Sequence, residues 1–330
     1  MKTYYDKFNG RDVYLYTIKS DMVEVDICEL GARINSIRVN GVDIALGFDS
    51  VEGYLESGSY AGSTIGRVAN RIADSRFFLN GKLYYVSANE GKHHLHGGIR
   101  GFDKRLFFVI SYSSNSVCMQ YISENGEEGY PGKLDFTVKF TVKDSELLVE
   151  YSALSDRDTL WCPTNHTYFN LNGEDSGDCR DDILQLNADS YTPTDDTLIP
   201  TGDVLPIEGT PFDFLKEKPI IADFKNPALR ATNGYDHNFI ANSNNMAFAY
   251  SNKTGIGFRV SSDMPCFQLY TGGAIKLCKG KSRQYGAWSG FCIEPQYCPN
   301  AINLKKFDKP IICADKRYEH YIKYTFGISG

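Results

Sequence analysis

A histidine and a glutamate far apart in the sequence have the residue types that acid–base chemistry requires. His166 lies in the segment NHTYFN, where strand alternation would place His166 and Tyr168 on one face. Glu294 is expected to end the strand FCIE, and Pro295 follows it, so its carboxylate should be partly desolvated and more basic than usual. Taken alone, His166 equally fits a half-buried histidine bonded to the backbone, and Glu294 an exposed edge charge.

Other polar residues stand beside glycines or turns and are suited to holding a ligand. Arg71 follows Asn70 in VANRI, and its guanidinium offers a fork of donors that suits neighbouring hydroxyls or a carboxylate. A surface ion pair is the alternative for this arginine. Asp236, in GYDHNF, either caps a turn or accepts hydrogen bonds from two hydroxyls of a ligand.

The segment HHLHGG raises the question of a metal site. His93, His94 and His96 could contribute ligands, but a catalytic zinc site needs a further His, Cys or carboxylate from elsewhere. The two glycines that follow favour a close approach of the backbone to a ligand instead. We therefore expect no metal, and we expect His96, next to the glycines, to contact a ligand.

The elements that must position these residues are predicted to be strands. In LDFTVKFTV, apolar and polar residues alternate with the period of an antiparallel sheet that has one face in water. Long amphipathic helical patterns are lacking, as are repeats and linkers. The sequence predicts an all-β chain, a single domain over 1–330 built as one large antiparallel β-sandwich with few short helices. Strand signals cover 13–18, 22–30, 107–112, 117–122, 134–142 and 146–154.

Composition narrows the class of partner. The 330 residues carry a formal net charge of −6, which argues against nucleic acid or an anionic membrane surface and suits a small neutral ligand. No apolar run approaches the roughly 20 residues of a membrane helix, and the start lacks a secretory layout. Nine cysteines without a C-x-x-C pair indicate buried free thiols and a cytoplasmic protein. Phosphate-loop, dinucleotide-binding and nucleophile-elbow motifs are absent.

In collinear order, the motifs resemble those of the aldose 1-epimerase (galactose mutarotase) family. The resemblance covers nearly the whole chain, and it implies a β-supersandwich fold that acts on a free aldose without a cofactor, as a monomer or a homodimer. The blocks that carry it include TIGRVANRIA (64–73), LHGGIRGFDKR (95–105), NHTYFNLNG (165–173), YTPTD (191–195), IPTG (199–202), GYDHNF (234–239), QLYTGG (268–273) and EPQYCPNAIN (294–303).

The resemblance also implies a role for each matching position. Glu294 matches the catalytic base and His166 the acid. Positions that hold the hydroxyls and ring oxygen of the sugar are matched by Asn70, Arg71, His96, Tyr168, Asp236 and Gln268. His93 and His94 match no functional position.

Three segments depart from the usual family pattern. Pro295 stands where the family has threonine in E-T-Q, and Ile302 stands where it has proline in P-D-A-P-N. The segment 161–164 replaces the commoner approach to the catalytic histidine. These departures leave the acid and base intact and bear on the shape of the pocket, and so on the preferred sugar.

Anomer exchange needs one proton removed from the C1 hydroxyl and one delivered to the ring oxygen. At neutral pH we expect the carboxylate to be ionised and the histidine to hold its proton with help from neighbouring negative charge. No electrons or groups move, so no cofactor is expected.

Three other functions remain open at this stage. A glycoside hydrolase would use Glu294 with Asp236 as its two carboxylates. A hexose-6-phosphate epimerase would need a phosphate cradle, to which Arg67, Arg100 or Lys276 would contribute. A non-catalytic sugar-binding module would have no need of an acid–base pair.

Overall fold

Strands make up most of the regular structure in the computed structural model, which describes residues 1–328. Within that range there is one α-helix, α1 (Val51–Ser57), and six short 3₁₀ turns. The first strands are β1 (Lys2–Phe8), β2 (Arg11–Lys19), β3 (Val23–Cys28), β4 (Arg33–Val39), β5 (Val42–Asp43), β6 (Thr64–Ile65), β7 (Arg71–Ile72), β8 (Arg76–Leu79), β9 (Lys82–Tyr85), β10 (His94–Leu95), β11 (Phe108–Tyr112), β12 (Ser116–Ser123), β13 (Leu134–Lys143) and β14 (Glu146–Ser155). They are followed by β15 (Thr159–Leu160), β16 (Thr164–Asn165), β17 (Ile183–Leu186), β18 (Ser190–Thr192), β19 (Leu205–Pro206), β20 (Lys218–Pro219), β21 (Asp236–Ile240), β22 (Asn245–Tyr250), β23 (Ile256–Ser262), β24 (Cys266–Tyr270), β25 (Cys278–Lys279), β26 (Gln284–Tyr285), β27 (Cys292–Gln296), β28 (Ile311–Ile312) and β29 (Arg317–Ile328).

The largest sheet has nine antiparallel strands in the order β11-β12-β13-β14-β29-β23-β22-β17-β20. Its centre is the β13–β14 hairpin, which pairs without a break from Leu134 opposite Ser155 to Lys143 opposite Glu146. Along β13 each apolar residue is buried and each polar residue is at least partly exposed. The predicted alternation is therefore confirmed, and it directs one face of this sheet inward.

Two five-stranded sheets supply the other side of the sandwich. Their orders are β1-β2-β3-β4-β5 and β19-β18-β21-β24-β27. One continuous core joins all three sheets, with Val25 from the first, Phe267 from the second, and Val138 and Phe258 from the nine-stranded sheet, each at most 1% exposed. Burying such a side chain stabilises the fold by about 1.5–3 kcal/mol. The predicted antiparallel β-sandwich is confirmed.

Helix α1 is short and has a distinct signal at each end. The Ser50 side chain accepts a hydrogen bond from the Gly53 N–H, and Gly58 ends the helix with a φ of 58°. Tyr54 buries one face of the helix. The C-terminal end of α1 reaches the rim of the cleft described below, to which Glu56 and Gly58 contribute.

All six predicted strand segments overlap observed strands, but two local expectations were wrong. The segment around His166 is not a continuous strand, because β16 covers only Thr164–Asn165. Glu294 does not end its strand, because β27 runs through Pro295 to Gln296. β27 is the outer strand of its sheet, where a proline removes no hydrogen bond that the sheet needs.

The cysteines are free, as expected, and six of the nine are buried. Cys118 is only half-buried. No helix within residues 1–328 has the length and apolar character needed to span a bilayer.

Candidate active site

A cleft of about 470 Å³ opens beside the second five-stranded sheet. This volume is in the usual range for small-molecule sites. Every residue that the sequence analysis assigned to the site lines this cleft: Asn70, Arg71, His96, His166, Tyr168, Asp236, Gln268 and Glu294.

Three of these residues belong to neighbouring strands of one sheet. Glu294 on β27 lies directly opposite Gln268 on β24, and Asp236 begins the adjoining strand β21. The Gln268 side-chain amide donates to Asp236 Oδ1 at 2.6 Å. The sheet therefore presents a carboxylate, an amide and a second carboxylate in a row, at the spacing of adjacent strands.

A two-stranded ribbon, β7 with β10, holds the opposite polar wall. His96 follows β10 and Asn70 precedes β7; both have left-handed backbones, with φ of 49° and 61°. The His96 N–H donates to the Asn70 carbonyl, and the Asn70 N–H donates to His96 Nδ1 at 3.2 Å. Burial lowers the pKa of His96 well below its usual value, so the ring is neutral. Because Nδ1 accepts, the proton is on Nε2, and His96 is a hydrogen-bond donor.

The same geometry bears on metal binding. Within residues 1–328, His96, His166 and Glu294 bring ligand atoms within 4.8 Å of one another, and two histidines with a glutamate can bind zinc. A His96 ring protonated on Nε2 has no free lone pair for a metal, because Nδ1 already accepts the Asn70 N–H. The donor set favours hydrogen bonding to a ligand.

The other two histidines of HHLHGG lie outside the cleft. His94 Nδ1 contacts the Ser87 carbonyl at 2.7 Å, and its Nε2 contacts the Tyr130 hydroxyl at 2.6 Å. Burial lowers the pKa of His94 to about 4. His93 bonds to the Asp74 backbone and to Thr197.

The imidazole and the carboxylate meet inside the cleft. His166 Nε2 lies 3.7 Å from Glu294 Oε2, and the two side chains are 4% and 2% exposed. On the other side of the ring, Cys292 Sγ is 3.5 Å from His166 Nδ1. Rings of Tyr168 and Tyr60 flank the imidazole, with centroids 4.9 and 5.9 Å away.

Burial dominates the electrostatics of this pair. It raises the pKa of Glu294 well above its usual value, the charge of Asp236 adds to the increase, and Arg71 opposes it. Burial also lowers the pKa of His166 to about 4, although a backbone hydrogen bond and the charge of Asp236 oppose the decrease. The expectations of an ionised carboxylate and a protonated histidine at neutral pH were therefore wrong for the free cleft, because desolvation outweighs the neighbouring charges. Among the described residues, Glu294 Oε2 has no hydrogen-bond partner.

Arg71 stands between two carboxylates. Its Nε and Nη2 donate to the two oxygens of Glu90 at 2.6 and 2.9 Å, and Nη2 is 4.0 Å from Asp236 Oδ2. A bidentate pair of this kind orients the guanidinium plane. Arg71 is 7% exposed, so its guanidinium is not part of the surface ion pair that the sequence left open, although the side chain of Glu90 is 37% exposed.

Sequence reasoning missed several residues that line the cleft. Glu90 lies in ANEGKH, which has no recognisable pattern, and Tyr60 and Tyr270 are ordinary aromatic residues in sequence terms. Cys292 contacts His166 without lining the cleft, and alternation in the sequence places it on the same strand face as Glu294.

Comparison with known proteins adds independent information. The family described as aldose 1-epimerase matches residues 14–325. Human galactose mutarotase is 38% identical over 331 residues, covering 97% of this chain and 96% of that protein. The aldose 1-epimerase of Haemophilus influenzae is 35% identical over 338 residues, covering 98% of this chain and 99% of that protein.

Solved structures with the same architecture agree with this result. A crystal structure of an aldose epimerase homologue from C. elegans has a TM-score of 0.89 at 28% identity, covering 96% of this chain and 99% of that one. A galactose 1-epimerase from Lactobacillus acidophilus has a TM-score of 0.88 at 26% identity, covering 100% and 99%.

Proposed function

Because the chain belongs to the aldose 1-epimerase family and is an aldose 1-epimerase, we propose that it interconverts the α and β anomers of free hexoses such as galactose and glucose, with Glu294 as its base and His166 as its acid. The observation that carries the assignment is the 3.7 Å approach of these two side chains in a hexose-sized cleft. The unpartnered Oε2 of Glu294 supports it, because a buried carboxylate oxygen without a protein donor is suited to receive a proton from a ligand.

The proposed reaction is a pair of proton transfers. Glu294 takes the proton of the C1 hydroxyl, the C1–O5 bond breaks as the carbonyl forms, and His166 protonates O5. Rotation about C1–C2 turns the aldehyde over, and the reverse transfers close the ring on its other face. Both residues return to their starting state, and each transfer by a positioned group typically contributes about 10²–10⁴-fold.

The pair carries one proton in either of two arrangements. A protonated Glu294 with a neutral His166 holds as many protons as a carboxylate with an imidazolium. Burial favours the neutral arrangement in the free cleft. A bound hexose donates a hydrogen bond from its C1 hydroxyl to the carboxylate, and its O5 accepts a hydrogen bond from the imidazolium. Bound substrate therefore favours the ionic arrangement.

The remaining polar residues are proposed to hold the ring while C1 turns. His96 offers an Nε2–H donor and Arg71 a guanidinium, and Asp236 accepts hydrogen bonds. Hydrogen bonds to charged groups contribute about 1.5–3 kcal/mol each. Asn70, Tyr168 and Gln268 complete the proposed set.

The site supports a free hexose over a hexose 6-phosphate. Arg67 is buried and bonded to backbone carbonyls, and Arg100 does not line the cleft. Glu90 neutralises the charge of Arg71. Of these candidate phosphate ligands, this leaves Lys276, which is exposed at the rim of the cleft. We expect a higher kcat/KM for galactose or glucose than for their 6-phosphates. The reverse ranking would favour the phosphate-specific enzyme.

We further propose a cytoplasmic enzyme, active as a monomer or a homodimer. Nine free cysteines suit a reducing compartment. A single chain supplies every residue of the proposed site, so a monomer holds a complete set.

The direct test replaces the base. Glu294→Gln should slow anomerisation of freshly dissolved α-galactose and α-glucose by about 10²–10⁴-fold in polarimetry, because the amide cannot take the proton. Calorimetry should show that sugar binding is retained. The control is Glu150→Gln, which lies in an ion pair on β14 and should keep the wild-type rate. A near-wild-type rate for Glu294→Gln would refute the assignment.

A further inference from the structure

A leucine with an unusual backbone forms part of the cleft wall. Leu198 is half-buried, lines the cleft and has a φ of 62°. A branched side chain rarely occupies this left-handed region. Conformations of this kind persist where the surrounding structure requires them, often at ligand sites.

The loop that carries Leu198 is closed on itself. Asp195 Oδ1 accepts from the backbone N–H groups of Thr197 at 2.8 Å and Ile199 at 3.1 Å. The Leu198 N–H donates to the Asp195 carbonyl at 3.0 Å, and Thr194 bridges to Pro200. These bonds define the backbone on both sides of Leu198.

His93 ties this loop to the rest of the site. The Asp74 N–H donates to His93 Nδ1 at 3.0 Å, so a neutral His93 carries its proton on Nε2. That Nε2 lies 3.2 Å from Thr197 Oγ1, which in turn donates to Asp195 Oδ1 at 2.7 Å. Every donor in this series of hydrogen bonds, from Asp74 to Asp195, has an acceptor. His93 is only 5% exposed.

The turn that holds His93 also holds the partner of Arg71. Glu90 and His93 exchange backbone hydrogen bonds at 3.1 and 2.9 Å. The Glu90 carboxylate orients Arg71. One turn thus positions a polar wall at Arg71 and an apolar wall at Leu198.

We propose that Leu198 is a specificity-determining residue that packs against a C–H face of the pyranose, and that His93, acting through Thr197, is the positioning residue that holds it. The inference rests on the proposed function. Galactose and glucose differ in the direction of the C4 hydroxyl. An apolar wall over one ring face desolvates that hydroxyl in one sugar and not in the other, and so ranks the two sugars.

The first test removes the apolar wall and keeps the loop. Leu198→Asn and Leu198→Gly both tolerate a left-handed backbone, so these variants should fold. We expect KM for the preferred hexose to rise about tenfold because apolar contact is lost. We expect kcat within about twofold of wild type, since the proton-transfer pair is untouched. The galactose-to-glucose ratio of kcat/KM should move towards one.

The second test separates the positioning of Leu198 by its loop from the contact that Leu198 itself makes with the sugar. Thr197→Val keeps the shape of the side chain and removes the hydroxyl that joins His93 to the loop. It should raise KM in the same direction, and Thr197→Val combined with Leu198→Asn should be no worse than Leu198→Asn alone, because both act through one wall.

The outcomes distinguish this inference from the proposed function. Unchanged KM, calorimetric affinity and sugar ranking in both Leu198 variants would overturn the inference and leave the Glu294 result standing. A Glu294→Gln enzyme that keeps its rate would overturn the proposed roles, and calorimetric sugar affinity of the Leu198 variants would still decide whether the wall exists.

Discussion

Two arginines four residues apart, Arg67 and Arg71, mark two regions with opposite uses of burial. Arg67 is 2% exposed and does not line the cleft. Its Nε donates to Ser123 Oγ at 2.9 Å, and its terminal nitrogens donate to carbonyls that include those of Pro131 and Gly132, at 2.9 and 2.8 Å. Arg71 is 7% exposed, but it faces the cleft between two carboxylates.

The two regions differ in how completely their buried polar atoms are hydrogen-bonded within the protein, and not in how deeply those atoms are buried. Outside the cleft lining, each side-chain nitrogen of Arg67 has a protein acceptor. In the cleft, Glu294 is 2% exposed, and its Oε2 has no partner within residues 1–328. An unsatisfied buried polar group destabilises a fold unless a ligand completes it. Arg67 and Glu294 are equally buried, so it is the completeness of their hydrogen bonding, and not their depth, that separates these two residues.

The largest expected effect is the loss of stability when Arg67 is replaced. Arg67→Met should lower the free energy of unfolding by about 3–5 kcal/mol, because several buried carbonyls lose their donor. Urea denaturation followed by circular dichroism measures the loss. A decrease under about 1 kcal/mol would show that these hydrogen bonds contribute little, and it would remove the contrast between the two regions.

Arg71→Met, in contrast to Arg67→Met, should lower activity much more than stability. We expect kcat/KM to fall about a hundredfold, because charge-assisted hydrogen bonds to the substrate are lost. The free energy of unfolding should change by less than about 1 kcal/mol, since a group that serves a ligand contributes little to folding. Polarimetry and denaturation of the same preparation give both numbers. Equal losses of stability in the two arginine variants would contradict our interpretation.

Glu294→Gln should raise the free energy of unfolding by about 0.5–2 kcal/mol, the usual gain when a destabilised functional group is neutralised. The folded-state pKa of Glu294 is raised, so its carboxyl group contributes most to stability below the unfolded value near 4.5. That contribution is lost as pH rises towards the folded pKa. The advantage of the variant over wild type should therefore be small at pH 4 and larger at pH 8. Thermal melts at both pH values test this, and an advantage that shrinks with pH would contradict the burial effect.

The smallest expected change is a shift of the pH profile. The kcat/KM profile should be bell-shaped, with an acidic limb near pH 4 from His166 and an alkaline limb from Glu294. The Asp236 charge raises both pKa values, so Asp236→Asn should move both limbs to lower pH. The asparagine oxygen still accepts from Gln268, which isolates the charge. Limbs that stay in place would show that the two pKa values do not depend on Asp236.

Strand prediction succeeded where neighbouring residues are sufficient. The alternation of LDFTVKFTV was readable because each side chain of β13 lies against one face of the sheet. It was wrong around His166, where the chain is held by single bridges such as Phe169 to Phe291 and not by a ladder. The site residues came from family motifs, and all of them line one cleft. Their roles stay predictions, as does the single-domain boundary. Glu90 was missed because a lone glutamate before a glycine has no pattern.

The sequence by itself determined which groups are available and which segments are extended, because residue chemistry and alternation are local properties. Only the tertiary structure decided which groups meet and in which protonation state. Glu294 and His166 come from distant parts of the chain, and their pKa values depend on burial by residues from several strands. Desolvation is a property of the whole surroundings of a group, so it is defined only once those surroundings are assembled.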